Sequence, residues 1–416
     1  YEALSLRRHP MPLPTRMKAL VISSKYHPEY SGPGHRAHGT YKRLKDKYGV
    51  ECDVLANSVE YNDNSVYEYD GVKIVRVARR LGALPSGGFL YKAVNHFIYL
   101  LNYLYQGYET IKVLRRGSYD LVHTFGSSIS VNVGALYAMR RKVPLLREVC
   151  NNGTRPEPLL PLKLNGVSRQ RFGPRARVVA VSRRIGDFCR GAGLPEDRLW
   201  ERPNPVDEAR FYPGVEEKAG LRRRLTRFGP DDIVLAYVAK FSPGKNQVFL
   251  ADVMKSLDRR YKLLLVGPVV AGGRFYERDR EYFLSLLRSL DEEGLRDRVK
   301  LVKGYVINPQ DYIRLSDVYV FPTLFEALGT PMLESIACGV PVVANRIEGV
   351  TDYWIKEGRN GFLCELRPEE FARCVERAAA IAPPVLEAEA REVLTKASSS
   401  VIDKEYYEIM RQLIMA

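Results

Sequence analysis

The sequence has no run approaching the roughly 20 consecutive apolar residues that a helical membrane span needs. Cysteine is scarce. Its six copies, Cys52, Cys150, Cys189, Cys338, Cys364 and Cys374, include no Cys-x-x-Cys pair, so the spacing encodes neither a disulfide framework nor a structural zinc site. That usage points to a reducing, cytosolic setting. Acidic residues are thin in one half only. Residues 1–205 hold 17 Asp+Glu against 33 Lys+Arg and the remainder 32 against 31, so the formal charge of +15 belongs to the first half. Such asymmetry suggests an anionic partner there, whether a phosphorylated acceptor, a membrane surface or a nucleic acid; a solvated basic face is the alternative. Tyr1–Arg16 is rich in Pro and Arg, lacks the apolar centre of a signal peptide, and reads as a loose leader.

What is present is a globular composition, 45% hydrophobic and 27% charged over 416 residues, enough for two domains of about 200 residues each. Met17–Ser23 has a buried-strand pattern and leads into the loop Ser31-Gly-Pro-Gly34 and a helix over Arg36–Tyr48. Strand-like runs follow at Glu51–Ala56, Val72–Val77, Leu121–His123 and Arg177–Ser182. The grammar then repeats, with strands at Ile233–Val238, Tyr261–Val266, Val299–Leu301, Val318–Phe321 and Val340–Ala344 and a helix over Asn246–Ser256. Continuous apolar runs alternating with helices predict two parallel sheets covered on both faces, with a cleft at the strands' carboxyl ends. The prolines of Arg202-Pro-Asn-Pro205 and Phe211-Tyr-Pro213 mark a linker. We therefore expect a leader at 1–16, one doubly wound domain at 17–205, a second at 206–398, and a terminal helix at 399–416 packing back on the first.

Residues 89–114 mix Tyr91, Tyr99, Tyr103, Tyr105 and Tyr108 with Leu, Ile and Phe, flanked by Lys92, Lys112, Arg115 and Arg116. Apolar spacing of this kind predicts an amphipathic helix packed into the core. Interfacial membrane contact is the alternative, since tyrosines and basic flanks both gain from a headgroup region.

The densest chemistry lies in Phe321-Pro-Thr-Leu-Phe-Glu326-Ala-Leu-Gly329-Thr-Pro-Met-Leu-Glu334-Ser-Ile-Ala-Cys-Gly339-Val-Pro341. It reads as strand, small-residue loop and helix, with Thr330 as N-cap and Pro331 as first helical residue. Free amides at such a helix start suit a diphosphate. Glu326 and Glu334, which only accept hydrogen bonds when ionised, suit the hydroxyls of a sugar and a ribose. A buried carboxylate and a helix-surface charge are the plainer alternatives for the pair. Lys240 and Lys245 would otherwise be strand-end lysines reaching solvent, and His123 a satisfied core histidine. His27, His35 and His38 fit no metal-ligand spacing and read as part of a mobile polar loop.

The Glu-x7-Glu pattern followed by Ala-Cys-Gly-Val-Pro-Val-Val-Ala resembles glycosyltransferase family 4. Further landmarks resemble that family in its order: Asp120-Leu-Val-His123, Val179-Ala-Val-Ser182, Arg202-Pro-Asn-Pro-Val-Asp207, Val238-Ala-Lys240, Gly244-Lys245-Asn246 and Gly358-Arg-Asn-Gly361-Phe-Leu. The resemblance implies the GT-B fold, two Rossmann-like domains facing a cleft, and a retaining transfer from a nucleotide-diphosphate sugar without a metal ion. It implies that Lys240 and Lys245 meet the diphosphate, Glu334 the ribose, and Glu326 the sugar. Gly329 and Thr330 would offer backbone amides, His123 would approach the sugar, and Gly32 with Gly34 would form a loop closing near the phosphates. No protein nucleophile is implied, because the leaving phosphate itself draws the acceptor's proton. The chain departs from the family at Ala327, Pro205, Lys240, Asn246 and Pro33; Lys240 in place of the usual arginine loses a bidentate fork but keeps its charge.

The expected activity is transfer of a hexosyl group from a UDP- or GDP-hexose to a lipid-linked or otherwise anionic acceptor, with peripheral contact at the cytosolic membrane face. The alternatives are transfer to a soluble sugar or sugar phosphate, a nucleotide-sugar epimerase or hydrolase, and a non-enzymatic nucleotide-sugar or nucleic-acid binder. No nucleic-acid recognition module supports the last.

Overall fold

A computed structural model describes residues 17–29, 31–58, 60–82, 88–150, 156, 172–269 and 275–416, so the leader expected at 1–16 lies outside them. The chain divides into two compact units. Unit 1 comprises Tyr1–Ala180, Phe188–Trp200 and Asp403–Ala416; unit 2 comprises Val181–Asp187 and Glu201–Ile402.

In unit 1 the strands are β1 (Lys18–Ser23), β2 (Glu51–Asn57), β3 (Ser65–Tyr69), β4 (Val72–Val77), β5 (Leu121–Phe125), β6 (Leu145–Val149), β7 (Ala176–Ala180) and β8 (Leu199–Glu201). They form one sheet in the order β3-β4-β2-β1-β5-β6-β7-β8. Pairings from β4 through β7 are parallel and β3 is antiparallel to β4. Val21 of β1 lies between Val54 and His123 in register. Leu20, Ile22, Leu55, Val77, Val122 and Leu145 bury one face of the sheet. The order reverses between β1 and β5, which makes their carboxyl ends the switch point where such sheets open to ligands. Three strands of this unit escaped the sequence reading. β3 alternates polar and apolar on an exposed edge, β6 carries the charged Arg147 and Glu148, and β8 is three residues long.

The stretch Ser31–Gly34, expected as a loop, is instead the start of helix Gly32–Tyr48. The Ser31 side chain accepts from the Gly34 amide at 3.2 Å and Pro33 sits in the first turn, a capping arrangement that begins the helix four residues early. Gly34 is required for a different reason than loop freedom: a Cβ there would stand 2.4 Å from the Lys25 carbonyl oxygen. His27 and His38 are likewise packed rather than part of a mobile loop, and His35 is an exposed residue of the helix. His27 stacks on Tyr69 at 4.6 Å and the Tyr26 hydroxyl bonds His38 Nδ1 at 2.9 Å. Burial, with His38 and His35 nearby, pulls the His27 ring down to about 4.

Residues 89–114 do form a helix, Phe89–Arg116, which buries Tyr103 and Leu114 as core packing expects but turns much of its apolar surface outward. Asn102, Gln106 and Thr110 are buried, whereas Leu90, Phe97, Leu104 and Tyr108 are 72%, 59%, 61% and 65% exposed. From Asp403 onward the last helix, Ser399–Met415, belongs to unit 1, where the buried Asp403 carboxylate takes Arg43 at 2.8 and 3.0 Å and Lys47 at 3.2 Å.

Unit 2 holds β9 (Ile233–Val238), β10 (Tyr261–Gly267), β11 (Val299–Lys303), β12 (Val318–Phe321), β13 (Val342–Asn345) and β14 (Gly361–Cys364). All pair in parallel in the order β11-β10-β9-β12-β13-β14, with the switch point between β9 and β12. Leu221, Phe228, Val234, Leu264, Val266 and Leu315 bury one layer of helices on this sheet. The helix expected over Asn246–Ser256 starts only at Phe249, because Pro243–Lys245 makes a separate 3-10 turn that Asn246 ends at φ 57°.

Candidate active site

The site of unit 2 grows from the carboxyl ends of β9 and β12. After β9 the chain passes Lys240, whose carbonyl accepts from Gln247 Nε2 at 2.8 Å, and enters the Pro243–Lys245 turn. The Lys245 carbonyl accepts from the Tyr237 hydroxyl at 3.0 Å. After β12, Thr323 Oγ1 and the Leu324 amide both donate to the Gly244 carbonyl at 3.0 Å, and Asn246 Nδ2 donates to the Pro322 carbonyl at 3.3 Å. Asn345 Nδ2, from the end of β13, holds the Thr323 carbonyl at 3.1 Å. The lysine turn and the loop carrying Glu326 are thus tied by their backbones and hold one geometry together.

Two carboxylates meet the two lysines. Lys245 Nζ pairs with Glu326 Oε1, and both side chains are largely covered. Lys240 Nζ lies 3.4 Å from Asp279 Oδ2, a buried carboxylate that Arg278 also grips at 2.6 Å. Asp279 was missed in the sequence, where it sits in the acid-and-arginine start of helix Tyr276–Glu292 and looks like any first-turn acid.

Thr330, expected as the N-cap, is the first residue of helix Thr330–Ala337, and the cap position belongs to Gly329. At φ 77° that position favours glycine, and a Cβ would stand 3.0 Å from the Phe321 ring. Thr330 Oγ1 is used elsewhere, accepting from Asn204 Nδ2 at 2.8 Å. Pro331 has no N–H to donate, and the first amides of a helix have no partner inside it, so this end presents donors of positive potential. One turn on, the Glu334 carboxyl is pushed up to about 7, chiefly by burial; Arg210 opposes the shift and Asp207 adds to it. Arg210 itself holds the Ile307 carbonyl at 2.6 Å and Gln310 at 2.8 Å, which brings the loop after β11 to the Glu334 side of the site. Together these groups offer ammonium charge and helix amides for phosphates, and two carboxylates for hydroxyls.

Unit 1 treats its candidates differently. His123, expected to approach a sugar or else to be a satisfied core histidine, has no solvent exposure. Its Nδ1 is 2.9 Å from the Tyr41 hydroxyl and its Nε2 3.4 Å from Glu148 Oε1. Burial holds the Tyr41 phenol well above its ordinary value, so that hydroxyl keeps its proton and donates to Nδ1 while Nε2–H faces the carboxylate. Glu148, also buried, accepts from the Tyr406 hydroxyl and lies 3.8 Å from Arg36. Removing one donor from a buried carboxylate costs about 1–3 kcal/mol. Tyr406→Phe is therefore expected to lower the urea midpoint by that equivalent while leaving nucleotide affinity unchanged; an unchanged midpoint would count against the network. Gly32 and Gly34 belong to the first helical turn described above.

The family model described as glycosyl transferases group 1 matches residues 222–397, which contain every unit 2 site residue named in the sequence. D-inositol 3-phosphate glycosyltransferase 2 of Catenulispora acidiphila is 29% identical over 264 residues, 59% of this chain and 59% of its own length. The Escherichia coli UDP-Gal:alpha-D-GlcNAc-diphosphoundecaprenol alpha-1,3-galactosyltransferase is 23% identical over 61% of this chain and 65% of its own length. The chain thus matches less than two thirds of the length of either relative. Among solved structures, HepE of Anabaena in complex with UDP and glucose superposes with a TM-score of 0.70 at 18% identity, covering 94% of this chain and 98% of that one. That likeness, with two parallel-sheet units, gives the GT-B fold. The second half of the chain, residues 222–397, is thus similar to the glycosyl transferases group 1 family.

Proposed function

We propose that the chain transfers a hexosyl group from a UDP- or GDP-hexose to an acceptor hydroxyl with retention of configuration. What supports this reading is the Lys245–Glu326 pair and the order of the chain, in which Lys240 and Lys245 follow β9 while Glu326, Gly329 and Glu334 follow β12, the two strands that flank the switch point. Lys240 and Lys245 receive the diphosphate and stabilise the charge that grows on it as the glycosidic bond breaks, a task a divalent ion performs elsewhere. The head of helix Thr330–Ala337 adds amide donors through Gly329 and Thr330. Glu334 accepts from the ribose hydroxyls and Glu326 from those of the sugar. The acceptor hydroxyl attacks the face the diphosphate is leaving, its proton passes to the departing phosphate oxygen, and no enzyme nucleophile enters. The acceptor is lipid-linked or otherwise anionic and is met at the cytosolic membrane face. The basic first half supports this, as does the diphosphoundecaprenol in the name of the Escherichia coli relative.

Calorimetry and thermal shift with UDP, GDP, ADP and their hexose conjugates, in EDTA, test the donor. One nucleotide is expected to stabilise the wild type by about 2.7 kcal/mol at a hundredfold excess over Kd, and to leave Glu334→Ala unmoved. Absence of binding, or binding that appears only when a divalent ion replaces EDTA, overturns the assignment. The anomeric configuration of the product, read by NMR, tests retention.

A further inference from the structure

We propose that helix Phe89–Arg116 is a docking surface for an anionic lipid bilayer, lying along the headgroup boundary with its apolar stripe inserted. The helix turns much of its apolar surface outward. Its inward side buries Tyr103 and Leu114 beside hydrogen-bonded polar residues: Asn102 Oδ1 accepts from the Arg80 and Leu81 amides at 3.0 and 3.2 Å, and its Nδ2 donates to the Leu81 carbonyl at 2.9 Å. Gln106 Nε2 donates to the Val77 carbonyl at 3.3 Å, and Thr110 Oγ1 to Ser130 Oγ at 2.7 Å. Its outward side carries Leu90, Val94, Phe97, Leu101, Leu104 and Tyr108, all exposed, at alternating steps of four and three residues. That spacing lines up one stripe about 27 Å long. An exposed apolar stripe of this extent marks an interaction surface.

Charge selects the occupant. Between Asp70 and Glu109 the sequence has no acidic residue, while Arg79 and Arg80 precede the helix and Lys92 lies in its second turn, all exposed. The Arg80 guanidinium sits over the Tyr105 ring at 4.9 Å, which fixes a positive charge beside the helix. Tyr91 and Tyr99, also exposed, add phenol tips suited to a headgroup region. A second copy of this chain would bring the same basic surroundings against themselves with no acid to pair. The residues flanking the stripe, Ile98 and Leu100 among them, carry none of the charges that set register between two helices. An anionic leaflet supplies both the apolar depth and the opposite charge.

This surface deepens the reading that the acceptor is lipid-linked and rests on it, but its test is separate from donor binding. Vesicles of phosphatidylcholine alone, and of phosphatidylcholine mixed with phosphatidylglycerol, are floated with the full chain at low and high salt while UDP-glucose affinity is measured on the same samples. Wild type is expected to float with the anionic vesicles, to do so less at high salt, and to stay largely free of the neutral ones. The double variant F97D/L104D should lower the partition by about tenfold or more, since each residue trades apolar burial for a charge. R79E/R80E should erase the preference for anionic lipid, and both variants should keep wild-type UDP-glucose affinity because they lie outside unit 2. Wild type left behind by both vesicle types overturns the proposal, as does F97D/L104D partitioning like wild type. So does a wild-type dimer in sedimentation velocity that the stripe variant dissociates without any change in vesicle binding.

Discussion

Glu334→Gln is expected to weaken binding of the nucleotide-sugar donor by roughly 10- to 150-fold, the equivalent of about 1.5–3 kcal/mol for hydrogen bonds to a charged acceptor. The same residue should impose a pH dependence. Burial lifts its carboxyl from the ordinary 4.5 to about 7, so the ionised form that accepts from ribose is lost as the pH falls through 7. Wild-type affinity should then decline by about tenfold per pH unit at the limit below 7, and the Gln variant should show a flat profile. Using the intact nucleotide sugar as probe keeps a terminal phosphate from titrating in the same range. Stability should move the opposite way. A carboxyl whose folded value is raised contributes most below its unfolded value and loses that contribution as the pH climbs through 7. At pH 8 the empty Gln variant should therefore melt above wild type even as it binds donor more weakly. A variant that lost affinity and stability together would make Glu334 a structural residue and empty the ribose assignment.

The parallel sheets were readable because buried parallel strands are continuous apolar runs: Val318–Phe321 and Ile233–Val238 match their observed limits. β3 and β6 were not, since an edge strand and a strand bearing Arg147 and Glu148 lack that signature. Helix Phe89–Arg116 shows a deeper limit. Periodicity finds two faces on a helix and carries no information about which one meets solvent; here Asn102, Gln106 and Thr110 won the interior by hydrogen bonding. The surroundings of His123 were likewise illegible, since its place on a buried strand between Tyr41 and Glu148 depends on partners far away in sequence. The donor-site residues were legible as a list. Their electrostatic arrangement was not. That Lys245 would face Glu326, or that Lys240 would lie by Asp279, follows from the backbone stitching around Gly244 and from helix Tyr276–Glu292, neither of which leaves a local pattern.

That arrangement makes Glu326 and Lys245 separable by experiment. Lys245→Met removes the charge assigned to the departing diphosphate and should cost about 10²–10³ in turnover, the size seen when one preorganised donor to a developing anion is deleted. Glu326→Gln should split the observables. The Glu326 carboxylate already neutralises Lys245, and a donor diphosphate has to take over that ammonium group. A largely covered pair of this kind is worth about 1 kcal/mol, so freeing Lys245 should let UDP bind roughly fivefold more tightly. Turnover should fall nonetheless, because the sugar loses a charged acceptor that orients it for attack. Isothermal titration with UDP and initial rates with the donor sugar read the two effects independently. If Glu326→Gln weakened UDP binding as much as it slowed transfer, the carboxylate would be holding Lys245 in position for phosphate, and its contact with the sugar would have to be given up.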